Sequence, residues 1–158
     1  MAVIIERSIM SYIFKPFSLK DVPNIYAIEQ RAQSHPMSQS VMESCLAKRY
    51  FNSALYVAGE LAGFYIGEIV LDESSLIEIC IDPNFQGRGL GRKLLSHYIE
   101  QATEKGAMSC WLEVRESNIA AHKLYQSMLF NEVDRRINYY PTETGKEDAI
   151  IMSYFSFG

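Results

Sequence analysis

The sequence contains little cysteine and little histidine. Its three cysteines are Cys45, Cys80 and Cys110, and its three histidines are His35, His97 and His122. No two cysteines form a C-x-x-C motif, and no histidine stands at metal-ligand spacing from another histidine or from a cysteine. We therefore expect neither a disulfide framework nor a metal site. The absence of disulfides is typical of a protein in a reducing cytosol.

The sequence also lacks an excess of basic residues and lacks long apolar runs. Fifteen Lys and Arg against nineteen Asp and Glu give a net charge of -4, which does not favour nucleic acid or an anionic membrane as a partner. The N-terminal residues 1–7 carry charge inside a short apolar run, so neither a signal peptide nor a membrane span is predicted. We expect a soluble, untargeted protein of the cytoplasm.

What is present is the composition of an ordinary globular domain. The chain has 158 residues, 48% hydrophobic and 22% charged, with no internal repeat and no low-complexity tract. Domains usually have about 100 to 200 residues, so we expect one domain over residues 1–158.

Periodicity and turn residues predict an α/β (α+β) chain in the order β-α-α-β-β-β-α-β-α-β-β. The predicted strands are residues 12–16, 54–58, 61–71, 75–81, 108–115, 132–139 and 148–155. The predicted helices begin near Asp21, after Ser38, at Leu90 and at Asn118. This order describes a mixed sheet with helices on both faces. The three successive strands over residues 54–58, 61–71 and 75–81 are predicted to form an antiparallel meander.

The most informative local pattern is Gln86-Gly-Arg-Gly-Leu-Gly-Arg92, between an apolar strand and an amphipathic helix. Bare amides at a helix N-terminus bind phosphate well, and an arginine in such a loop adds positive charge. A flexible strand-to-helix turn would use the same glycines. A Walker A loop requires Lys-Ser/Thr after its last glycine, and a Rossmann fingerprint requires a glycine where Arg92 stands, so neither nucleotide motif is matched.

This segment resembles the acyl-CoA pyrophosphate loop of the GCN5-related N-acetyltransferases (GNAT), whose pattern Gln/Arg-x-x-Gly-x-Gly/Ala is matched by Gln86, Gly89 and Gly91. The resemblance extends over most of the chain from about Asp21 and is greatest to the RimI type, bacterial N-alpha-acetyltransferases associated with a small-subunit ribosomal protein. The other matching segments are residues 28–32, 111–121, 124–125, 130–133, 136, 138–142 and 147–152.

The resemblance implies a GNAT fold, with a mixed sheet of about six to seven strands and about four helices, and acetyl-CoA as the acetyl donor, without a metal. It implies that the backbones of Ile79, Cys80 and Ile81 pair with the pantetheine arm. The pyrophosphate would be held by Gly87, Arg88, Gly89, Leu90, Gly91 and Arg92, and Asn118 would contact the cofactor. Glu113 would be the general base and Tyr125 the general acid, while Tyr139 and Tyr140 would form a wall of the acceptor site.

Each of these roles has a structural alternative. Residues 79–81 are equally explained as core packing, Glu113 as a solvated strand residue and Tyr125 as an amphipathic core tyrosine. Asn118 would serve as a helix cap. Tyr139 and Tyr140 could fill a sheet edge, and Cys80, which could carry an acyl group, fits a small buried hydrophobe.

Three positions depart from the pattern of the RimI type. Met37 stands where a tryptophan borders the acceptor site, and Gly87 replaces a longer residue. Leu129 stands where the family has glycine before Phe130. If that position requires a positive φ, leucine there is strained.

We therefore expect direct acetyl transfer from acetyl-CoA to the N-terminal amine of a protein, a ribosomal small-subunit protein by resemblance. An α-amine has a pKa of about 7.7 to 8.0, so a single carboxylate suffices to deprotonate it. The alternatives are the same chemistry on a lysine or a small amine, and an acyl-CoA-binding module without turnover.

Overall fold

The computed structural model describes residues 11–155, so the predicted features of residues 1–7 lie outside the described part of the chain. The described residues form seven β-strands and four α-helices. The strands are β1 (Tyr12–Lys15), β2 (Tyr50–Val57), β3 (Glu60–Val70), β4 (Glu73–Ile81), β5 (Ser109–Arg115), β6 (Asn131–Thr142) and β7 (Gly145–Phe155). The helices are α1 (Val22–Ala32), α2 (Gln39–Ser44), α3 (Leu90–Glu104) and α4 (Ile119–Ser127).

The strands form one sheet in the order β1-β2-β3-β4-β5-β7-β6. β1 pairs antiparallel with β2, and β7 pairs antiparallel with both β5 and β6. β4 pairs parallel with β5, and α3 provides the crossover that a parallel pair requires. The predicted element order and mixed sheet are confirmed. None of the helices within residues 11–155 has the length and apolar character needed to cross a membrane.

The chain contains two compact units. Among the described residues, the first comprises 11–66 and 78–95, and the second comprises 67–77 and 96–155. The single domain expected over residues 1–158 stays a prediction.

The core of the first unit is built on α1 and the strands beside it. Ile25 and Ile28, one helical turn apart on α1, are each 1% exposed. The Phe17 ring meets the Phe64 ring edge-on, with 6.0 Å between the ring centroids. Ser38 caps α2 as predicted, since its Oγ accepts a hydrogen bond from the Val41 N–H at 3.2 Å.

The core of the second unit lies along β7, whose Ile150 and Met152 are buried. Phe130 packs against Tyr125 and Tyr154, with ring centroids 6.0 Å and 5.6 Å apart. These contacts hold α4 on the β5-β7-β6 part of the sheet, which carries most of the predicted catalytic and acceptor-site residues.

Two predicted boundaries are wrong. β2 begins at Tyr50 rather than at Ala54. The predicted loop over residues 141–145 is instead mostly strand, because Tyr140, Pro141 and Thr142 continue to pair with β7. Pro141 is tolerated there because β6 is the last strand of the sheet order, and a proline can occupy an edge strand.

Candidate active site

The glycine-rich loop of the first unit has a backbone that requires glycine. Gly87 and Gly89 have φ angles of +78° and +75°, in the left-handed region that side chains disfavour. A Cβ atom at either position would meet nothing within 4 Å. The glycines are therefore needed for the backbone conformation rather than for packing, and the space beside them is open.

The loop leads directly into the N-terminus of α3. Leu90 is buried and anchors the first turn, while Arg88 and Arg92 lie on the exposed side. The guanidinium of Arg88 lies over the Phe85 ring at 5.3 Å. The first amides of a helix have no carbonyl partner within it, and the helix dipole is positive at this end. The arrangement suits a phosphate group, as the sequence predicted for residues 87–92.

Two backbone groups near the end of β4 form hydrogen bonds with side chains. The Ile79 N–H donates to Glu78 Oε1 at 3.0 Å, and the Ile81 carbonyl accepts from Gln86 Nε2 at 3.2 Å. Side-chain partners of this kind can be exchanged for the amides of an extended ligand. Cys80 lies between them, 4% exposed. Its carbonyl would be only 2.5 Å from a Cβ atom at Gly63.

Burial raises the pKa of the Cys80 thiol, and the nearby Glu78 and Glu29 carboxylates raise it further. The thiol is therefore protonated at neutral pH, which favours the interpretation of Cys80 as a small buried hydrophobe over that of an acyl carrier.

Two acidic side chains, the buried Glu29 and the half-buried Glu78, lie beside this strand end. Glu29 on α1 is 0% exposed, and its Oε2 accepts from the Met37 N–H at 3.1 Å. The pKa of Glu78 is raised well above its usual range, mainly by burial and next by the charge of Glu29. The Glu78 carboxyl therefore keeps its proton to a higher pH than an exposed glutamate does. Oxygen atoms of Glu29 and Glu78 and the Cys80 sulfur lie within 4.8 Å of one another.

The second unit contains a pocket of about 540 Å³ where β4 and β5 stop pairing. The parallel pairing comprises residues Glu73 to Ser75 with Ser109 to Trp111, although both strands continue. The pocket is lined by Glu68, Ser75, Leu76, Ile77, Trp111, Leu112, Glu113, Arg136, Tyr140 and Ile151. The predicted base Glu113 and one of the two predicted acceptor-site tyrosines, Tyr140, therefore line the same pocket, and Tyr139 is not among the lining residues.

Glu113 meets a cation in this pocket. The Glu113 Oε1 lies 2.9 Å from the Arg136 Nε, and the two side chains are 30% and 52% exposed. The Arg136 guanidinium also lies over the Tyr139 ring at 5.2 Å. Tyr139 and Tyr140 contact each other edge-on at 5.0 Å between ring centroids. Arg136 thus connects the predicted base with one of the two predicted acceptor-site tyrosines.

The second tyrosine is held by Arg115. The Arg115 guanidinium lies over the Tyr140 ring at 4.3 Å and donates to Glu147 Oε1 at 3.0 Å. Hydrogen bonds to the Glu147 carboxylate from Ser117 and then from Arg115 lower the pKa of Glu147. The charged Glu147 carboxylate therefore links the segment after β5 to the β6-β7 hairpin, through its hydrogen bonds with Arg115 and Ser117.

Tyr125 and Asn118 are not among the residues that line this pocket. Tyr125 lies on α4 and is 6% exposed. Asn118 is the N-cap of α4, since its Oδ1 accepts from the Ala121 N–H at 3.2 Å. The capping alternative is therefore observed for Asn118, while the catalytic role of Tyr125 and the cofactor contact of Asn118 stay predictions.

Sequence reasoning gave no role to Glu68, Glu78 or Arg136. A carboxylate between Ile77 and Ile79 in an apolar strand was the one available signal for the acid pair. Arg136 appeared only within the segments that resemble the family. Nothing in its sequence surroundings connects it to Glu113, which precedes it on a different strand.

A seven-stranded mixed sheet, a glycine-rich helix start and a carboxylate in a pocket between separating strands are the features expected of a small acyltransferase. The chain belongs to the acetyltransferase (GNAT) family, whose model matches residues 19–130. It is therefore an acetyltransferase with the GNAT fold, and the predicted family is confirmed.

Its relatives include enzymes with a named protein acceptor. The ribosomal protein bS18-alanine N-acetyltransferase of Escherichia coli strain K12 is 49% identical over 133 residues, which cover 84% of this chain and 90% of that relative. The enzyme of the same name from Haemophilus influenzae is 43% identical over 136 residues, covering 85% and 92%. The crystal structure of the ribosomal-protein-S18-alanine N-acetyltransferase from Escherichia coli matches with a TM-score of 0.89 at 44% identity, covering 94% of this chain and 96% of that one.

Proposed function

We propose that this chain transfers the acetyl group of acetyl-CoA to the α-amine of the N-terminal alanine of ribosomal protein bS18. The observation that carries the proposal is the 49% identity to the Escherichia coli enzyme over most of both chains. The pocket supports it, since it places a carboxylate beside two aromatic residues that can contact a peptide. A ribosomal acceptor puts the reaction in the cytoplasm.

The donor is assigned to the first unit. Gly87, Arg88, Gly89, Leu90, Gly91 and Arg92 hold the pyrophosphate of acetyl-CoA. The positive φ of two of these glycines, the open space beside them and the fifteen-residue helix that follows all fit that role. Ile79, Cys80 and Ile81 pair with the pantetheine arm through their backbones, in exchange for the bonds now made to Glu78 and Gln86.

The proton transfers are assigned to the second unit. Glu113 accepts the proton of the acceptor ammonium, directly or through a water molecule, and the neutral amine attacks the thioester carbonyl. Tyr125 donates a proton to the departing CoA thiolate, which a phenol with a pKa near 10 can do at neutral pH. The nitrogen loses its second proton as the amide forms, and that proton restores the Tyr125 hydroxyl directly or through water. The C–N bond forms as the C–S bond breaks, so no acyl-enzyme is needed.

The acceptor is assigned to the wall formed by Tyr139 and Tyr140. About a tenth of an α-amine is neutral at pH 7, against well under a thousandth of a lysine amine. One carboxylate that is already ion-paired is a sufficient base for the α-amine. The same carboxylate is a poor base for lysine.

The test is CoA release from acetyl-CoA with three peptides. The first begins with the N-terminal alanine sequence of bS18, the second is the same peptide acetylated at its N-terminus, and the third has a blocked N-terminus and an internal lysine. We expect release with the first peptide alone, with the added mass on its α-amine. Equal release with the blocked lysine peptide would show a lysine acetyltransferase, and binding of acetyl-CoA without any release would show a module without turnover.

A further inference from the structure

Arg136 occupies an unusual position for an exposed arginine on an edge strand. Its Nε is 2.9 Å from Glu113 Oε1, and its guanidinium covers the Tyr139 ring at 5.2 Å. The Glu113 side chain is 30% exposed. The carboxylate is therefore held by a cation on one oxygen while part of its surface stays open to the pocket.

A bulge in β6 directly follows Arg136. Arg136 is opposite Ala149 and Tyr140 is opposite Glu147, so three residues of β6 face the single residue Asp148. Within the bulge Asn138 has a φ of +51°, and its N–H donates to Asp148 Oδ1 at 2.9 Å. Bulges of this kind change the direction of side chains beside active sites. Here the bulge brings Tyr139 under the guanidinium that meets Glu113.

We propose that Arg136 is a positioning residue that orients the Glu113 carboxylate for proton transfer and links this orientation to the acceptor-contacting Tyr139. The inference rests on the proposed function, since it takes Glu113 as the base. An exposed ion pair contributes little to folding stability. Its effect is therefore expected in turnover, where a small displacement of a catalytic group can cost up to about a hundredfold.

The neighbouring Arg135 provides a matched control. Alternation along the strand directs it away from Arg136, and it pairs with Glu132 at 2.7 Å, with Glu116 at 3.1 Å and more distantly with Asp148 at 3.7 Å. Arg135 does not line the pocket. Replacing either arginine by glutamine removes the same charge from adjacent residues, so a general effect of charge or of folding changes both variants alike.

The experiment is a double-mutant cycle on peptide acetylation at pH 7. It compares the parent enzyme, Arg136→Gln, Glu113→Gln and the double variant, with Arg135→Gln and Arg136→Lys alongside. We expect Arg136→Gln to lower kcat about tenfold with an unchanged KM for acetyl-CoA. Arg135→Gln should match the parent, and Arg136→Lys should recover most of the loss because it retains the cation.

In the Glu113→Gln background, removal of Arg136 should change kcat less than twofold, because its partner is already absent. Independent, multiplicative losses in the double variant would overturn the inference, as would an Arg136→Gln enzyme as active as Arg135→Gln. If Glu113→Gln matches the parent, the assigned base is wrong and the inference fails with it. If the parent acetylates only the blocked lysine peptide, the proposed acceptor is wrong, and the same cycle on that peptide still decides the role of Arg136.

Discussion

Replacing Leu129 by glycine should stabilise the protein, although it removes a hydrophobic side chain. Leu129 follows α4 and has a φ of +72°. The Phe130 N–H donates to the Tyr125 carbonyl at 3.0 Å, and the Leu129 N–H donates to the Gln126 carbonyl at 3.1 Å. These two bonds form a Schellman motif, in which the left-handed residue is usually glycine.

The end of α3 shows the same motif with glycine in place. The Ala107 N–H donates to the Ala102 carbonyl at 3.0 Å, and the Gly106 N–H donates to the Thr103 carbonyl at 3.0 Å. Gly106 has a φ of +96°, and a Cβ atom there would meet nothing within 4 Å. The two helix ends therefore differ mainly in whether the left-handed residue carries a side chain.

The expected gain follows from this comparison. A left-handed conformation costs a residue with a side chain about 1 to 2 kcal/mol, and glycine loses about 0.5 to 1 kcal/mol of backbone entropy relative to alanine. Leu129 is 71% exposed, so little apolar burial is lost. Leu129→Gly should raise the free energy of unfolding by up to about 1 kcal/mol, which corresponds to about 2 to 4 °C in Tm for a chain of this size.

The assay is urea unfolding at 25 °C of the parent and three variants. Leu129→Ala removes the same side chain but keeps the Cβ strain, so it should give no gain. Gly106→Ala introduces the strain and should destabilise by about 1 kcal/mol. A Leu129→Gly protein no more stable than Leu129→Ala would refute the argument that the left-handed backbone is costly here.

Four further variants test the site and the core. Glu113→Gln should retain acetyl-CoA binding, measured by calorimetry, but lose turnover about a hundredfold or more, most of all at low pH, where more of the acceptor amine is protonated. Tyr125→Phe should also bind acetyl-CoA and show a slower CoA release, and turnover equal to the parent's would exclude it as the acid. Glu78 has a pKa raised by burial and by Glu29 above its ordinary 4.5, so the folded state keeps a proton that the unfolded chain loses. That contribution is complete below about pH 4.5 and is lost as the pH rises toward the folded-state pKa. The stability of the parent in urea should therefore fall as the pH rises above about 4.5, and that of Glu78→Gln should fall less; an identical decline in both would contradict the raised pKa of Glu78. Gly63→Ala should destabilise by about 1 to 3 kcal/mol in the same assay, because its Cβ would lie 2.5 Å from the Cys80 carbonyl oxygen. A stability equal to the parent's would mean that β3 and β4 can separate at no cost.

Much of the fold could be predicted because the governing interactions are local. The apolar spacing of Ile25 and Ile28, the cap at Ser38 and the glycine after α3 each act within a few residues of the chain. Local sequence signals do not predict the conformation of a segment whose structure depends on pairing with another strand. The β6-β7 hairpin is an example. Proline and glycine indicated a loop at residues 141–145, yet pairing with β7 keeps Pro141 in a strand.

The amino-acid sequence by itself determined the order of the elements, the glycine-rich helix start and the resemblance to the GNAT family. Each of these features depends on residues that are neighbours along the chain. It also identified Leu129 as a position where a side chain replaces glycine. Only the tertiary structure decided which side chains meet, because the partners are far apart along the chain. Arg136 reaches Glu113 across β7, where Arg136 is opposite Ala149 and Glu113 is opposite Ile151. The pKa of Glu78 is raised because α1 brings Glu29 beside the end of β4.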